Sequence, residues 1–239
     1  MIRRVEPELL DELPPGDPQA RRSREDLRRL NLLMGHARIV ARAFINSNGG
    51  DKPKRLVEIG AGDGRFALSL ARRLSPRWPN LEVVLVDRQD IVEQQTRRAF
   101  GELGWNCDAV QADVFDWLKG SHRWPGDCIV ANLFLHHFTD VRLRELLALV
   151  AERAKCFVAC EPRRYRPVLA ASRLLGWIGC SEVTHHDAAV SVRAGFRGKE
   201  LSGSWPANAG WSFEEGATGL FSHRFVARAW MGPEREAES

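Results

Sequence analysis

Apolar residues recur along this chain with two different spacings, and each spacing predicts a kind of secondary structure. Continuous apolar runs of about five residues are typical of buried strands, whereas apolar positions three and four residues apart mark one face of a helix. The two patterns alternate from residue 51 onwards. The predicted strands are 55–59, 81–86, 107–111, 127–132 and 156–160, and the predicted helical segments are 64–74, 90–103, 114–119, 139–153 and 166–179.

This alternation predicts the fold class. Strands that alternate with helices favour a parallel sheet with helices on both faces. Two further segments, 211–215 and 222–229, look like an antiparallel hairpin on the sheet edge. We therefore expect an α/β fold, with a doubly wound, mostly parallel seven-stranded sheet and an antiparallel C-terminal hairpin.

The segments outside this core have other patterns. Residues 1–19 are acidic and rich in proline, which predicts a loose leader, and residues 23–44 carry apolar positions on one helical face. Asp187 is a candidate cap for a short helix ending at Gly195. The expected organisation is a leader and helical cap over 1–50, a main domain over 51–232, and a polar tail over 233–239.

Composition and charge exclude several classes of protein. No apolar run approaches the length of a membrane span, and the charged N-terminus lacks the apolar core of a secretory signal, so we expect a cytoplasmic protein. The net charge is +4, but basic and acidic residues are interleaved, which argues against nucleic-acid binding. The five cysteines form no C-x-x-C pair, so neither a metal site nor a disulfide framework is expected.

The most informative segment, 57–66, reads VEIGAGDGRF. Glycines between a strand and a helix let the backbone approach a ligand at the helix N-terminus. The acids Glu58 and Asp63 would repel a pyrophosphate but would suit a cationic, ribose-bearing cofactor. The run partly matches the dinucleotide motif G-x-G-x-x-G, although position 65 is arginine. An ordinary strand-to-helix turn and a nicotinamide-dependent oxidoreductase remain alternatives.

Polar residues follow the other strands as well. Asp87, Asp113, Asn132 and Glu161 each stand at the carboxyl end of a predicted strand, where open α/β sheets bind their ligands. For Asp87 and Asp113 the alternative is an acid at a helix N-terminus. Glu58 lies within a strand, where an unpaired buried acid is unfavourable, so we expect it to have a partner or a ligand.

Taken in order, these motifs resemble those of the class I S-adenosylmethionine-dependent methyltransferases, with the Rossmann-like methyltransferase fold. The first family motif matches Glu58 and Gly60 to Gly64, the ribose-binding acid matches Asp87, and the acid near the adenine matches Asp113. The resemblance implies S-adenosylmethionine as the cofactor and S-adenosylhomocysteine as the product. The cofactor-binding residues that it implies are Glu58, Gly60, Ala61, Gly62, Asp87, Arg88, Asp113, Val114, Asn132 and Leu133.

The resemblance also implies where substrate binds. His136 and His137 follow the fourth strand, where substrate approaches the methyl group in this family, and an imidazole there would accept a proton from a phenol or enol. The alternative is that one histidine packs under the cofactor and the other caps helix 139–153. Residues 180–210 correspond to the substrate lid. The candidate substrate residues are Asn31, Met34, His36, Glu161, Arg164 and His186.

The resemblance narrows the reaction. The segment 132–138 looks like the small-molecule branch, and the N-P-P-Y type of motif found in amino-methylating enzymes is absent. The expected reaction is O-methylation of a phenolic or enolic, polyketide-like small molecule. An NAD(P)-dependent oxidoreductase and a non-catalytic cofactor-binding module of the same fold are the alternatives. The oligomeric state is left open.

Overall fold

One seven-stranded sheet forms the centre of the molecule. The computed structural model describes residues 1–14, 16–47, 52–120, 127–172, 179–207 and 210–229. The strands are β1 (Arg55–Ile59), β2 (Glu82–Asp87), β3 (Asn106–Gln111), β4 (Asp127–Asn132), β5 (Ala154–Pro162), β6 (Trp211–Thr218) and β7 (Ser222–Ala229). Their order across the sheet is β3-β2-β1-β4-β5-β7-β6.

Strand direction confirms the predicted fold class. Strands β1 to β5 run parallel to one another, β7 pairs antiparallel with β5, and β6 pairs antiparallel with β7 at the edge. The first five strands are therefore the alternating part of the chain, and the last two are the predicted hairpin.

Ten α-helices surround the sheet within the described residues, and a 3-10 turn (Leu135–His137) follows β4. The helices are α1 (Leu9–Glu12), α2 (Pro18–Met34), α3 (His36–Ser47), α4 (Arg65–Leu74), α5 (Gln94–Glu102), α6 (Val114–Lys119), α7 (Asp140–Ala151), α8 (Arg166–Ser172), α9 (Glu182–Ala194) and α10 (Glu200–Ser204). No helix in the described ranges is long and apolar enough to cross a membrane.

The sheet separates two apolar cores. Successive side chains of a strand point to opposite faces, so Leu56 of β1 packs in one core while Val57 and Ile59 pack in the other. Helices α3, α4 and α5 cover the first core, and α6, α7 and α10 cover the second. This arrangement leaves the carboxyl ends of the parallel strands to form a site.

The N-terminal helical extension is broken where the sequence pattern predicts one helix. Helix α2 ends at Gly35, which adopts a left-handed conformation (φ 68°), and α3 begins at once with His36. The Gly35 N–H closes the end of α2 through hydrogen bonds to the carbonyls of Asn31 and Leu32. The prediction of a continuous helix over 23–44 was therefore wrong.

The predicted loose leader is instead packed against α9. The N–H groups of Leu9 and Leu10 donate to the Asp187 carboxylate at 2.9 and 3.0 Å, and the Arg4 N–H donates to the Arg193 carbonyl. We call residues 3–12 the N-terminal strap. Asp187 lies inside α9, whose own N-cap is Ser181, so Asp187 caps α1 and not its own helix.

Several element boundaries also differ from the predictions. Strand β5 extends over nine residues, Ala154–Pro162, and α5 begins at Gln94, four residues later than predicted. A short helix, α10, lies in the region 180–210 that was predicted to correspond to the substrate lid. Of the predicted helix 166–179, α8 covers 166–172, residues 173–178 lie outside the described residues, and so does the predicted tail 233–239.

Candidate active site

A cavity of about 1210 Å³ lies at the carboxyl ends of β1, β2 and β4. The turns after these strands form its floor, and α2, α9 and the N-terminal strap supply much of the remaining wall. Its position is the one expected for a ligand site in an open α/β sheet.

The glycine turn after β1 presents bare backbone to this cavity. Gly60, Gly62 and Gly64 have positive φ angles of 69°, 53° and 72°. A Cβ atom on Gly60 would lie 2.1 Å from Phe134 Cδ2, whereas one on Gly62 would meet no atom within 4 Å. Gly60 is therefore needed for packing, while Gly62 leaves open space for a ligand.

Two carboxylates border the glycine turn. Asp87 ends β2 and accepts hydrogen bonds from the Gly62 N–H at 2.8 Å and the Gln89 N–H at 2.9 Å. Asp113 caps α6 by accepting from the Phe115 N–H at 2.8 Å, which is the alternative role that the sequence left open. Both residues line the cavity, and a carboxylate has lone pairs beyond those used here, so both can still accept from a ligand.

Glu58 is the least satisfied acid at the site. It is 1% exposed, and its Oε2 atom has no hydrogen-bond partner in the described part of the chain. Burial, reinforced by nearby Asp63, raises the pKa of Glu58 well above its usual value. Since Glu58 also lines the cavity, a cationic ligand would supply its missing partner. The turn and its acids thus fit a cationic, ribose-bearing cofactor.

The end of β4 completes this side of the cavity. Leu133 has a positive φ of 52°, which is uncommon for a residue with a side chain and is often found at functional sites. Its N–H donates to the Cys160 carbonyl at 3.0 Å. The other predicted cofactor residues Ala61, Arg88, Val114, Asn132 and Leu133 all line the cavity.

His36 links three elements and is fully buried. Its Nδ1 lies 2.8 Å from Asn132 Oδ1, and its Nε2 lies 2.8 Å from Ser222 Oγ. Burial lowers the pKa of His36 to about 4, so the ring is neutral near pH 7. His36 lines the cavity, but both of its nitrogens are occupied by protein atoms, and the ring joins α3 to β4 and β7.

Glu161 organises the 3-10 turn that carries the two predicted catalytic histidines. Its Oε1 accepts from the N–H groups of Phe134 and Leu135 at 3.0 Å each, and its Oε2 accepts from the His136 N–H at 3.3 Å. Glu161 is fully buried and does not line the cavity. The predicted substrate contact is thus a carboxylate that caps the turn.

His136 lies between two carboxylates. Its Nδ1 is 2.8 Å from Glu161 Oε2, and its Nε2 is 3.1 Å from Glu8 Oε1. Burial alone would lower the pKa of His136, but the two hydrogen bonds outweigh it and raise the pKa to about 10. In this arrangement His136 has no free ring nitrogen to accept a proton, which speaks against the predicted role as a base.

His137 is more accessible and lines the cavity. Its side chain is 24% exposed, with Nδ1 3.1 Å from Asp11 Oδ2 and Nε2 4.0 Å from Glu8 Oε2. Burial raises the pKa of Glu8, but its bond to His136 and the nearby imidazole charges prevail and lower it to about 2. Sequence analysis missed Glu8 and Asp11, because α1 has only four residues and shows no readable periodicity.

The remaining predicted substrate residues fall into two groups. Asn31 and Met34 of α2 line the cavity. Arg164 and His186 do not: Arg164 is buried against the Gly195 carbonyl and Glu200, and His186 Nδ1 lies 3.0 Å from Asp187 Oδ1 on the exposed side of α9. Helix α9 reaches the cavity through Ala188, Ser191 and Val192 instead.

Comparison with protein families gives a match that covers the central part of the chain. Residues 56–155 match the model of a methyltransferase domain, a range that contains the glycine turn, Asp87, Asp113 and both histidines. A search of curated proteins gives no match.

Solved structures share the fold at low sequence identity. An O-methyltransferase family protein from Burkholderia thailandensis is 16% identical over 92% of this chain and 62% of its own, with a TM-score of 0.62. The plantazolicin methyltransferase BpumL, crystallised with a substrate analogue and S-adenosylhomocysteine, is 13% identical over 89% and 91%, with a TM-score of 0.64.

The mitomycin 7-O-methyltransferase MmcR is 19% identical over 92% of this chain and 60% of its own, with a TM-score of 0.58. The chain thus spans about 60% of the length of two of these three relatives. Identities at this level establish the common fold.

Proposed function

We propose that this chain is a class I S-adenosylmethionine-dependent methyltransferase that methylates an oxygen atom of a small phenolic or enolic molecule. S-adenosylmethionine is the cofactor. When bound, it supplies a methyl group on a positively charged sulfur, which is a good leaving group. Two structural relatives are named O-methyltransferases, and this supports oxygen as the acceptor.

The observation that carries the proposal is that one cavity joins the glycine turn to His137. Gly62 and Asp87 line one part of it, and His137, Met34 and Phe138 line another. Its volume of about 1210 Å³ exceeds the roughly 300–1,000 Å³ typical of a single ligand pocket, so a cofactor and a small acceptor can share it.

The residues of the cavity then have separate tasks. The backbone at Gly62, the Asp87 and Asp113 carboxylates and the buried Glu58 hold the cofactor. The apolar side chains from α2 hold the acceptor beside it, and such placement supplies much of the rate of a displacement reaction. The acceptor hydroxyl must lose its proton, and His137 is the better placed of the two histidines to take it.

The direct test replaces Asp87 by asparagine and measures S-adenosylmethionine binding by calorimetry. Asp87→Asn removes a charged acceptor, and hydrogen bonds to charged groups contribute about 1.5–3 kcal/mol, so we expect binding to weaken about 10- to 100-fold. Asp90→Asn is the matched control, because Asp90 is exposed and lies outside the cavity wall.

Two results would contradict the cofactor part of the proposal: equal affinity of Asp87→Asn and wild type, or binding of NADH in place of S-adenosylmethionine. The acceptor part is tested with a panel of phenols and enols and mass spectrometry of the products. O-methylated products support it, whereas methylation only at carbon or nitrogen would overturn it.

A further inference from the structure

Glu8, His136 and His137 form a compact cluster on the cavity wall, remote from the glycine turn in sequence. Each offers a potential ligand atom, and these atoms all lie within 4.8 Å of one another. We propose that this cluster binds a divalent transition-metal ion. The site joins the N-terminal strap to the 3-10 turn after β4, and nothing in the sequence pattern indicated it.

The orientation of the two imidazoles is the first argument. The Nδ1 atom of His136 lies 2.8 Å from Glu161, and the Nδ1 atom of His137 lies 3.1 Å from Asp11. A carboxylate at Nδ1 holds a proton on that nitrogen. Nε2 is then the ring nitrogen that can release its own proton and bind an ion through its lone pair. Histidines that bind metals almost always donate their other ring N–H to an outer acceptor, which is a carboxylate, a backbone carbonyl or a water.

Both Nε2 atoms then face the same carboxylate. The Nε2 of His136 is 3.1 Å from Glu8 Oε1, and the Nε2 of His137 is 4.0 Å from Glu8 Oε2. Ligand atoms about 2.0–2.2 Å from a common zinc ion are separated by distances close to these. Small side-chain rotations are sufficient to bring the ligand atoms of Glu8, His136 and His137 within bonding distance of one ion.

Charge is the second argument. Glu8, Asp11 and Glu161 surround two imidazoles, and the side chains of Glu8 and Glu161 are 10% and 0% exposed. Buried carboxylates require a compensating positive charge. A proton on His136 supplies one charge, and a divalent ion bound by Glu8 and both rings would supply two.

The ligand set indicates the class of metal. Two imidazoles and one carboxylate suit zinc or ferrous iron, whereas magnesium and calcium prefer oxygen ligands. Three protein ligands leave further coordination positions, and all three residues line the cavity. With His137 bound to the ion and no longer available as the base, an acceptor hydroxyl coordinated there would lose its proton to water more readily, because the cation stabilises the resulting oxyanion. This role, unlike the site itself, rests on the proposed function.

The test measures metal binding by the full chain without any substrate. Protein stripped with a chelator is titrated with Co²⁺, followed by its visible absorption, and then with Zn²⁺ in competition. We expect one metal ion to bind per protein chain. His137→Gln and Glu8→Gln each remove a ligand, and since even outer partners contribute about 10- to 100-fold, we expect affinity to fall at least 10-fold. His185→Gln, an exposed histidine outside the cluster, is the control.

The outcomes separate this inference from the proposed function. If wild type binds no Co²⁺ or Zn²⁺, or if His137→Gln binds them as tightly as wild type, the metal site is wrong and the histidines act only as an ion pair and a base. Circular dichroism checks the fold of each variant, and the partly exposed His137 gives an informative variant even if Glu8→Gln unfolds. Loss of S-adenosylmethionine binding with intact metal binding would instead contradict the proposed function alone.

Discussion

His36 illustrates how one buried side chain takes a structural role that its sequence position did not reveal. It was predicted to contact substrate from the N-terminal helix; it lines the cavity, and both of its nitrogens are hydrogen-bonded, to Asn132 and Ser222. Because Asn132 is a predicted cofactor residue and lines the same cavity, His36 orients a candidate site residue through this hydrogen bond. Its neutral state gives it a measurable signature in the pH dependence of stability.

We expect the stabilising effect of His36 to vanish on acidification. The pKa of folded His36 is about 4, below its usual 6.5, so the unfolded chain takes up a proton first as the pH falls. The contribution is therefore complete above about pH 6.5 and is lost towards pH 4, by roughly 3 kcal/mol. Urea unfolding of wild type and His36→Gln at several pH values measures it.

The expected result is that the free energies of unfolding of wild type and His36→Gln converge as the pH is lowered from 7 to 4.5. Only wild type loses the stabilisation that comes from the neutral His36 ring. An exposed-site variant, His185→Gln, controls for the loss of a histidine as such. A stability difference that stays constant over this range would show that His36 is not held neutral.

At the scale of elements, the glycine turn depends on its contact with the turn after β4. Phe134 packs so closely on Gly60 that no side chain fits between them. The first and fourth strands thus present their loops as one unit, and the shape of the cofactor side of the cavity depends on both.

Gly60→Ala should destabilise the protein by about 3 kcal/mol, because it combines a left-handed alanine with a steric clash. Gly219→Ala is the matched control: Gly219 has a similar φ of 63°, and a Cβ there meets no atom within 4 Å, so about 1 kcal/mol is expected. Thermal and urea unfolding provide the measurement. If Gly60→Ala and Gly219→Ala lose the same amount of stability, the Phe134 ring moves aside without cost and the proposed clash is wrong.

The elements of the core could be predicted from sequence because their signals are local. The buried runs at Leu56–Ile59 and Val83–Val86 and the glycines after them are readable within a few residues. The break at Gly35 was missed, because an isolated glycine inside a helical pattern can be tolerated or can end the helix. Periodicity alone does not decide between the two.

Which residues of the site could be predicted also depends on how local their signals are in the sequence. The half formed by the strand ends could be predicted, since Gly60, Asp87 and Asn132 follow strands whose carboxyl ends must meet, and all three line the cavity. Glu8 and Asp11 could not, because their partners are far away in sequence: Glu8 contacts His136 across 128 positions. For Glu161 and Arg164, the residue types suggested ligand contacts, and burial directed them to protein partners instead.

At the scale of the whole molecule, ligand binding and folding are coupled. The cavity is bordered by strand ends, α2, α9 and the strap, so a ligand that fills it contacts elements from distant parts of the chain. Such a ligand binds only the folded state and must raise its stability.

We expect S-adenosylmethionine at 100 times its dissociation constant to stabilise the protein by about 2.7 kcal/mol. For a chain of this size that corresponds to a rise in the melting temperature of about 5–10 °C. Differential scanning fluorimetry with the cofactor and with NADH makes the comparison, and Asp87→Asn should show a smaller shift at the same concentration. A rise with NADH alone would favour the oxidoreductase alternative.

The N-terminal strap also fixes the order in which the cavity is assembled during synthesis. Arg3, Glu8 and Leu9 leave the ribosome before their partners Ala194, Ser191 and Asp187, which follow 191, 183 and 178 residues later. At about 5–20 residues per second, the strap waits roughly 10–40 s before α9 exists to receive it. The nascent chain therefore completes most of its parallel sheet while the cavity is still open, and the strap, although it is made before the sheet, is among the last segments to dock.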